Sequence, residues 1–378
     1  MGEKNRSMQS SRVYFFLLLV CTCRLASGQL FGNVSYTNPI LDQQGADPWV
    51  IRYEDHYLMT FTLNDNITIY RSQSLTNWNN ASTKLVFDPP EGEAYSYSLW
   101  APELHEIDER WYIIFTANAD NESPPPETDM LCDYTCPAVS HRMFVLESSG
   151  SDPWESNYSL KGQLDTYDQF AIDGTYFQHP TGLYHVYSCW YDKYTSWPAN
   201  LCVTKLSNPW TVSTPLSQRT ILSVPTLPWE KTPYGRPTNN RLSSNEGPQQ
   251  LTNPHNPNRT YIIYSAARSD NRNYCLGQLE LVGQDPMNVN DWRKTIEGPV
   301  FYQNALEEAY GVGHASFTTS PDGRENWIVY HGMSDPLGGW RARTIRAQRF
   351  EWGDDKDGGD PSFPRPGYGP YRVPSGQV

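Results

Sequence analysis

The chain has 378 residues and is rich in aromatic residues and proline, with 25 tyrosines, 13 tryptophans and 30 prolines. It carries 42 acidic and 29 basic residues, a net charge of −13, which repels nucleic acid and anionic membranes and leaves neutral ligands such as sugars as candidates. Its length exceeds the roughly 250–300 residues that one hydrophobic core usually supports, so we expect two domains or a repeated architecture.

The N-terminus has the pattern of a secretory signal peptide. A charged segment is followed by the apolar run VYFFLLLVCTC at 13–23 and then by small residues. The run is shorter than the roughly 20 apolar residues that span a bilayer. We therefore expect residues 1–28 to be removed and the protein to be secreted as an extracellular chain of residues 29–378.

Sequons and cysteines agree with that compartment. Six N-x-Ser/Thr sequons predict glycosylation, at Asn33, Asn66, Asn80, Asn121, Asn157 and Asn258. Five cysteines follow residue 28, so pairing in an oxidising compartment leaves one thiol. Proximity along the chain favours disulfides Cys132–Cys136 and Cys189–Cys202, with Cys275 as a buried free thiol.

Two kinds of strand signal alternate along the chain. The first kind opens with small polar residues and then becomes apolar: GADPWVI, LWAPELHEI, AIDGTYFQ, SNEGPQQL and VGHASFTT. The second kind is aromatic and β-branched after a polar turn: 56–62, 110–117, 182–190, 259–267 and 326–333. Helical periodicity is nearly absent. Five repeats of this unit predict an all-β, five-bladed β-propeller over residues 29–378, with residues 354–378 as a short Gly/Pro-rich tail packed against the last blade.

In a propeller the innermost strands begin near the central axis on one face, so the polar residues that open them converge. These residues are Asp47, Glu103, Asp173, Glu246 and His314. Carboxyl groups gathered in a partly dry site cannot all ionise cheaply, so their pKa values are driven apart. One protonated and one ionised carboxyl are what glycosidic-bond hydrolysis requires.

The residues themselves suggest how the roles divide. Glu246, beside Pro248, has the longer side chain and apolar neighbours that raise its pKa, which predicts the general acid. Asp47 has small neighbours that leave room for water, which predicts the general base. Asp173 is expected to orient Glu246 and to keep its pKa raised. Each aspartate alone could instead be a turn residue before proline or glycine, and Glu103 has no clear chemical task beyond a structural hydrogen bond or substrate binding.

These stretches resemble the blade signatures of glycoside hydrolase family 43. GADPWVI, LWAPELH, AIDGTYF, SNEGPQ and GHASFTTSPDG with ENWIVYH occur in that family's order, over residues 38 to 353. The resemblance implies an inverting mechanism with base, pKa-modulating acid and general acid, which fall on Asp47, Asp173 and Glu246. It is strongest with secreted exo-acting α-L-arabinofuranosidases, whose substrates are arabinan and arabinose-substituted plant cell-wall polysaccharides. Inversion would separate the base and the acid by roughly 6.5–9.5 Å.

Further residues are weaker candidates for the site. The resemblance implies that one arginine reaches the pocket, either Arg343 or Arg346, and Trp100 could stack on a furanose ring. His314 could be a core histidine, or could hold a structural calcium ion at the propeller centre through waters, since Ca²⁺ prefers six to eight oxygen ligands. No cofactor is expected for the chemistry itself.

Alternatives remain open on the sequence. A β-xylosidase or an endo-arabinanase would use the same fold and acids, and a catalytically silent propeller could bind glycans as a lectin does. Retention of all three acids favours an enzyme, because binding alone does not require an acid–base pair. The expected partner is a polysaccharide or oligosaccharide substrate, and we expect a monomer.

Overall fold

The computed structural model describes residues 34–119, 140–192, 198–231, 243–353 and 358–377. Within these ranges five antiparallel sheets of consecutive strands confirm the predicted five-bladed propeller. Strand β1 (Ser35–Tyr36) precedes the blades. Blade 1 contains β2 (Trp49–Tyr53), β3 (His56–Thr60), β4 (Ile67–Ser72) and β5 (Ser82–Phe87), and blade 2 contains β6 (Tyr97–Ile107), β7 (Arg110–Asn118), β8 (Arg142–Ser148) and β9 (Tyr158–Gln163).

The last three blades follow the same order. Blade 3 contains β10 (Ala171–His179), β11 (Gly182–Cys189), β12 (Asn200–Asn208) and β13 (Thr211–Val212), and β14 (Thr220–Ser223) also pairs with β12. Blade 4 contains β15 (Asn245–Thr252), β16 (Thr260–Ala266), β17 (Cys275–Leu281) and β18 (Trp292–Lys294). Blade 5 contains β19 (Tyr310–Thr319), β20 (Asn326–Met333), β21 (Thr344–Trp352) and β22 (Pro361–Ser362). Strand β23 (Tyr371–Arg372) is the last strand described. Five 3₁₀ helices of three residues are also described: Leu216–Gln218, Pro228–Glu230, Val289–Asp291, Ala305–Glu307 and Trp340–Ala342.

The hydrophobic core is divided among the seams between blades. One buried cluster joins blades 3 and 4 through Phe177, Tyr264 and Trp292. Another joins blades 2 and 3 through Ile114, Val145, Tyr176 and Tyr187, and similar clusters fill the other seams. Because both faces of each blade are covered by neighbours, the aromatic second strands are almost entirely buried, which explains their composition.

Both ends of the described chain fasten onto blade 5. Strand β1 pairs with β23, and β22 adds the outermost strand next to β21. The Asn38 carboxamide donates to the carbonyls of Ala347 and Gly367 and accepts from the Ala347 N–H. The ring is therefore closed by segments from opposite ends of the chain.

Each inner strand has a left-handed residue either shortly before it or within its first five residues. Asp47, Ala101, Asp173, Gly247 and His314 have φ values of 57°, 44°, 54°, 53° and 45°. Four of their N–H groups donate to a side chain at the end of the second strand of the preceding blade: Ala101 to Thr62, Asp173 to Thr116, His314 to Ser265 and Asp47 to His331. For residues other than glycine this conformation costs roughly 1–2 kcal/mol, and these hydrogen bonds help to hold it. The prediction that Glu103 occupies this place in blade 2 is wrong, because the left-handed residue there is Ala101 and Glu103 lies two residues beyond it.

The cysteines and sequons are placed as follows. Cys189 and Cys202 form the disulfide expected from their proximity, and among the described cysteines Cys275 is a buried free thiol. Cys132 and Cys136 lie outside the described residues, as do Asn33 and Asn121. Asn80, Asn157 and Asn258 are exposed and Asn66 is half-buried, and their glycosylation stays a prediction. Across the described ranges, no helix has the length and apolar character needed to cross a bilayer.

Candidate active site

The propeller axis brings together Asp47, Asp173, Glu246 and His314 from four different blades. His314 Nδ1 lies 3.1 Å from Asp47 Oδ1 and 4.0 Å from Asp173 Oδ2. Glu246 immediately precedes Gly247, where an added Cβ would lie 3.1 Å from the His314 ring. The four side chains are almost completely removed from solvent, so charges within this cluster interact strongly.

Asp47 is held in its ionised form. Burial alone would raise the pKa of this carboxyl, but the charges of His314 and Arg343 and the hydrogen bond from His314 lower it well below its usual range. Oδ2 accepts a 2.6 Å hydrogen bond from Thr62 Oγ1, and Arg343 Nη1 lies 3.4 Å from Oδ1. An ionised carboxylate with fixed donors is suited to accept a proton from water.

His331 supports the backbone of Asp47. Its Nδ1 accepts a 3.1 Å hydrogen bond from the Asp47 N–H. Burial lowers the pKa of His331 to about 4, so the ring is neutral. Because Nδ1 accepts the backbone hydrogen, it has no proton to give to Asp47 Oδ1, 3.3 Å away, and the cationic partners of that carboxylate are His314 and Arg343.

Asp173 has the opposite protonation preference. Burial, followed by the nearby Glu246 and Asp47 carboxyls, raises its pKa to about 8, although His314 opposes the shift. Asp173 is therefore neutral at mildly acidic pH. Its predicted task of orienting Glu246 is not met by a hydrogen bond: its Oδ2 faces His314, and the hydrogen bond to Glu246 comes from another residue.

That residue is Tyr274, which the sequence reasoning did not single out. Its hydroxyl donates a 2.9 Å hydrogen bond to Glu246 Oε1. Burial raises the pKa of Glu246, partly offset by Tyr274 and His314 and supported by the charge of Asp47. The direction agrees with the sequence prediction, and a protonated Glu246 is suited to act as a general acid.

The strand that carries Glu246 is anchored by its preceding residue. Asn245 donates from Nδ2 to Glu230 Oε1 at 3.0 Å and accepts from Ser223 Oγ at 2.6 Å. Glu230 is completely buried and pairs with Lys294 Nζ at 2.6 Å. Because this buried charge is paired and hydrogen-bonded, it provides a rigid support behind Glu246.

His314 acts as the cation of the cluster. Burial by itself would lower its pKa, but Asp47 and Asp173 raise it to about 9. The described residues contain no group of three or more His, Cys, Asp or Glu side chains placed to hold an ion directly. The described donors do not fit a calcium ion bound directly by the protein, and the hydrated ion expected at His314 stays a prediction.

Glu103 lies in a separate buried network. Its Oε2 is 2.7 Å from His105 Nε2, and its Oε1 accepts from Gln249 Nε2. The His105 ring packs on Trp49 with ring centroids 4.3 Å apart. Glu103 therefore links strands of blades 2 and 4, which favours the structural alternative for this residue.

The two candidate arginines are separated by the fold. Arg343 reaches Asp47 and donates from Nε to the Trp340 carbonyl. Arg346 is completely buried, and its guanidinium donates to the Glu308 carbonyl and to Ser334 Oγ. The structure therefore leaves Arg343 as the arginine of the site and removes Arg346 from it.

Trp100 lies next to the left-handed Ala101 and is half-buried. Its ring stacks on His141 with centroids 4.1 Å apart, and its Nε1 donates to Asn64 Oδ1 at 3.0 Å. One indole face is thus taken by a protein ring. Stacking of a sugar on Trp100 stays a prediction.

A five-bladed propeller that gathers Asp47, with a lowered pKa, and Glu246, with a raised pKa, in one buried cluster at its axis has the carboxyl pair that glycosidic-bond hydrolysis requires. The family model for glycosyl hydrolases family 43 matches residues 36–357. The chain belongs to glycosyl hydrolases family 43.

Three similar proteins are named as arabinofuranosidases. An extracellular exo-α-(1→5)-L-arabinofuranosidase of Streptomyces avermitilis is 32% identical over 361 residues, covering 92% of this chain and 67% of the relative. α-L-arabinofuranosidase 43 of Humicola insolens is 30% identical, covering 87% of this chain and 63% of the relative. The crystal structure of an α-L-arabinofuranosidase from Lactobacillus brevis superposes with a TM-score of 0.72 at 31% identity, covering 88% of this chain and 98% of that chain. The chain thus spans about two thirds of the length of the two curated relatives.

Proposed function

We propose that the protein is a secreted, inverting, exo-acting α-L-arabinofuranosidase that removes terminal α-L-arabinofuranosyl residues from arabinan or arabinose-substituted plant polysaccharides. The observation that carries the proposal is that Asp47 and Glu246 lie in one buried cluster whose charges and burial shift their pKa values in opposite directions. The names of the relatives support L-arabinofuranose as the sugar, and the name of the Streptomyces relative supports exo action. The name of the Streptomyces relative also supports secretion, and the monomeric state stays a prediction.

In the proposed reaction Asp47 and Glu246 act on opposite sides of the sugar. A water molecule attacks the anomeric carbon and gives one proton to Asp47. As the bond between that carbon and the glycosidic oxygen breaks, Glu246 gives its proton to the leaving oxygen. The sugar departs with inverted configuration, and transfer of the proton from Asp47 to Glu246 through solvent restores the starting state. The expected base–acid separation of roughly 6.5–9.5 Å belongs to this proposal.

The neighbouring residues tune the two carboxyls. Thr62, Arg343 and His314 keep Asp47 ionised and fixed in orientation. Asp173 interacts with Glu246, so ionisation of either one makes ionisation of the other less favourable. Asp173 therefore modulates the acid through charge, while His314 balances the charge of the base.

Hydrolysis of two chromogenic substrates tests the activity. The wild type is expected to hydrolyse p-nitrophenyl α-L-arabinofuranoside and to leave the β-D-xylopyranoside largely intact. With linear arabinan, an exo enzyme releases only arabinose. Release of oligomers would replace the exo proposal with an endo-arabinanase, and activity on the xyloside alone would replace it with a β-xylosidase.

Replacement of the acid distinguishes an enzyme from a lectin. Glu246→Gln is expected to lose nearly all turnover of arabinan while it keeps the fold and binds arabino-oligosaccharides. The p-nitrophenyl substrate should suffer less, because a good leaving group needs less protonation. Binding of arabino-oligosaccharides without turnover of any of these substrates by the wild type would overturn the enzymatic proposal in favour of a glycan-binding propeller.

A further inference from the structure

Tyr274 lies between Glu246 and His331 and contacts both. Its side chain is completely buried, and its hydroxyl donates to Glu246 Oε1 at 2.9 Å. Its ring lies parallel to the ring of His331, with an interplanar angle of 3° and centroids 5.4 Å apart. Tyr274 therefore contacts the proposed acid at one end and His331 along its face.

His331 continues this contact to the base. It is completely buried, and its Nδ1 accepts the N–H of Asp47, the residue whose φ of 57° aims the carboxylate at the axis. Without that acceptor the Asp47 N–H would be left unpaired in a buried site, which would destabilise this backbone conformation. His331 thus stabilises the backbone conformation that presents the base.

The pair has little freedom to move. A Cβ at Gly313 would lie 2.5 Å from the Tyr274 ring, so the backbone of β19 presses directly on the ring. The Tyr274 N–H donates to the Asn271 carbonyl at 3.0 Å, which fixes the loop that precedes β17. The Tyr274 ring is thus confined at its edge, its face and its hydroxyl. It can shift only when the strands packed against it shift, so it couples the positions of those strands.

We propose that Tyr274 and His331 are positioning residues that together keep Glu246 and Asp47 in the correct orientation relative to each other across the active site. Tyr274 also distinguishes the two oxygens of the acid, because Oε1 accepts its hydrogen bond. This inference rests on the proposed role of Glu246 as the general acid. It assigns Tyr274 and His331 an effect on orientation, without contact with the reacting atoms.

Blade 4 offers a matched control for a purely structural role. Tyr261 is also completely buried in this blade, and its hydroxyl donates to a carboxylate, Asp360 Oδ1, at 2.9 Å. Tyr261→Phe and Tyr274→Phe therefore remove the same group and the same kind of hydrogen bond. Only Tyr274→Phe affects the acid.

The first experiment measures kcat and KM of both variants on substrates with good and poor leaving groups. For Tyr274→Phe we expect kcat to fall roughly tenfold or more on an arabino-oligosaccharide and much less on the p-nitrophenyl arabinoside, with little change in KM, because general acid catalysis contributes about 10²–10⁴-fold and matters most for poor leaving groups. Tyr261→Phe should keep both values per folded molecule. An equal, small effect of Tyr274→Phe on both substrates would overturn the inference.

Glu246→Gln, measured beside them, distinguishes failure of the positioning inference from failure of the proposed function. If this variant shows the leaving-group dependence and Tyr274→Phe does not, the acid assignment stands and the positioning inference fails. If Glu246→Gln lacks the dependence, the proposed function itself fails.

The His331 end is tested by rescue. His331→Asn offers an amide oxygen where Nδ1 accepts the Asp47 N–H, whereas His331→Leu offers none. We expect His331→Asn to retain several-fold more kcat than His331→Leu on both substrates, since the base is needed whatever the leaving group. Equal activity of the two folded variants would overturn the part of the inference that concerns His331.

The pH profile gives an independent readout for Tyr274. The groups that face Glu246 are Tyr274, His314, Asp47, Asp173 and Ser244. The tyrosine hydrogen bond lowers the pKa of the acid, so Tyr274→Phe should move the alkaline limb of kcat/KM upward. An unchanged limb, with Tyr261→Phe as reference, would contradict the hydrogen bond's proposed role.

Discussion

The imidazole of His314 lies 3.1 Å from the carboxylate of Asp47, and the two side chains carry opposite charges in a site almost closed to water. The positive charge of His314 lowers the pKa of Asp47, and the negative charge of Asp47 raises the pKa of His314, so each group keeps the other ionised. The pair thereby places an ionised base beside carboxyls whose pKa values are raised. This division of protons follows from burial and proximity, and it has consequences that can be measured.

Removal of the cation should weaken the base at acidic pH. In His314→Gln the Asp47 carboxyl loses its nearest positive charge, so its pKa rises and the acid limb of kcat/KM moves upward. The measurement is kcat/KM between pH 3 and 9 for the wild type and the variant. His56→Gln, which removes a half-buried histidine paired with Asp55 at the surface, is the control and should leave the limb in place. An unmoved limb in folded His314→Gln would contradict the charge pairing.

The wild-type profile should be bell-shaped and broad. Activity requires Asp47 ionised, and because its pKa is held well below the usual range, the acid limb lies below the pH at which ordinary aspartates titrate. Activity also requires a protonated Glu246. Burial and the neighbouring carboxyl groups raise the pKa of Glu246, so the alkaline limb lies above the pH at which ordinary glutamates titrate. An alkaline limb at the ordinary glutamate pKa would contradict the protonated acid.

The fold could be predicted because its repeat is visible in the residues. Each blade repeats one polar-to-apolar strand and one aromatic strand, and the polar openings mark the axis, which is why Asp47, Asp173, Glu246 and His314 could be placed. Glu103 was misplaced because strand equivalence is set by the left-handed Ala101, which sequence spacing does not reveal.

The supporting residues could not be predicted in the same way. Tyr274 precedes the third strand of its blade, and His331 lies within an apolar second strand, so neither belongs to the polar openings. Their role depends on how one blade packs against the next. Arg343 and Arg346 are three residues apart, and only the register of β21 decides that Arg346 points into the core.

Asp173 should lower the stability of the folded protein as pH rises, while the same side chain supports activity. Its pKa is raised to about 8 in the folded protein and is near 3.8 when unfolded, so between these values the folded state binds more protons and stability falls as pH rises. Asp173→Asn removes this dependence. We therefore expect the variant's Tm, relative to wild type, to be higher at pH 7.5 than at pH 4.5, with activity reduced at both. Thermal unfolding monitored by circular dichroism checks this, and a Tm difference that is the same at both pH values would contradict it.

Gly247 should be required for two reasons, its own left-handed backbone conformation and the close approach of the His314 ring. Its φ of 53° is left-handed, and an added Cβ would lie 3.1 Å from the imidazole. Gly247→Ala therefore combines a conformational cost of roughly 1–2 kcal/mol with crowding that displaces His314 or the adjacent Glu246. Gly323→Ala is a matched control, because Gly323 has a φ of 71° and no atom within 4 Å of an added Cβ.

We expect both glycine variants to lose stability, by a comparable backbone amount, and Gly247→Ala to lose about 1 kcal/mol more. Only Gly247→Ala should lose kcat, by roughly tenfold or more, because small displacements of catalytic groups are costly. Urea unfolding and kcat on the p-nitrophenyl arabinoside measure the two effects. If Gly247→Ala matched Gly323→Ala in both, the contact between Gly247 and His314 would have no part in holding the acid in place.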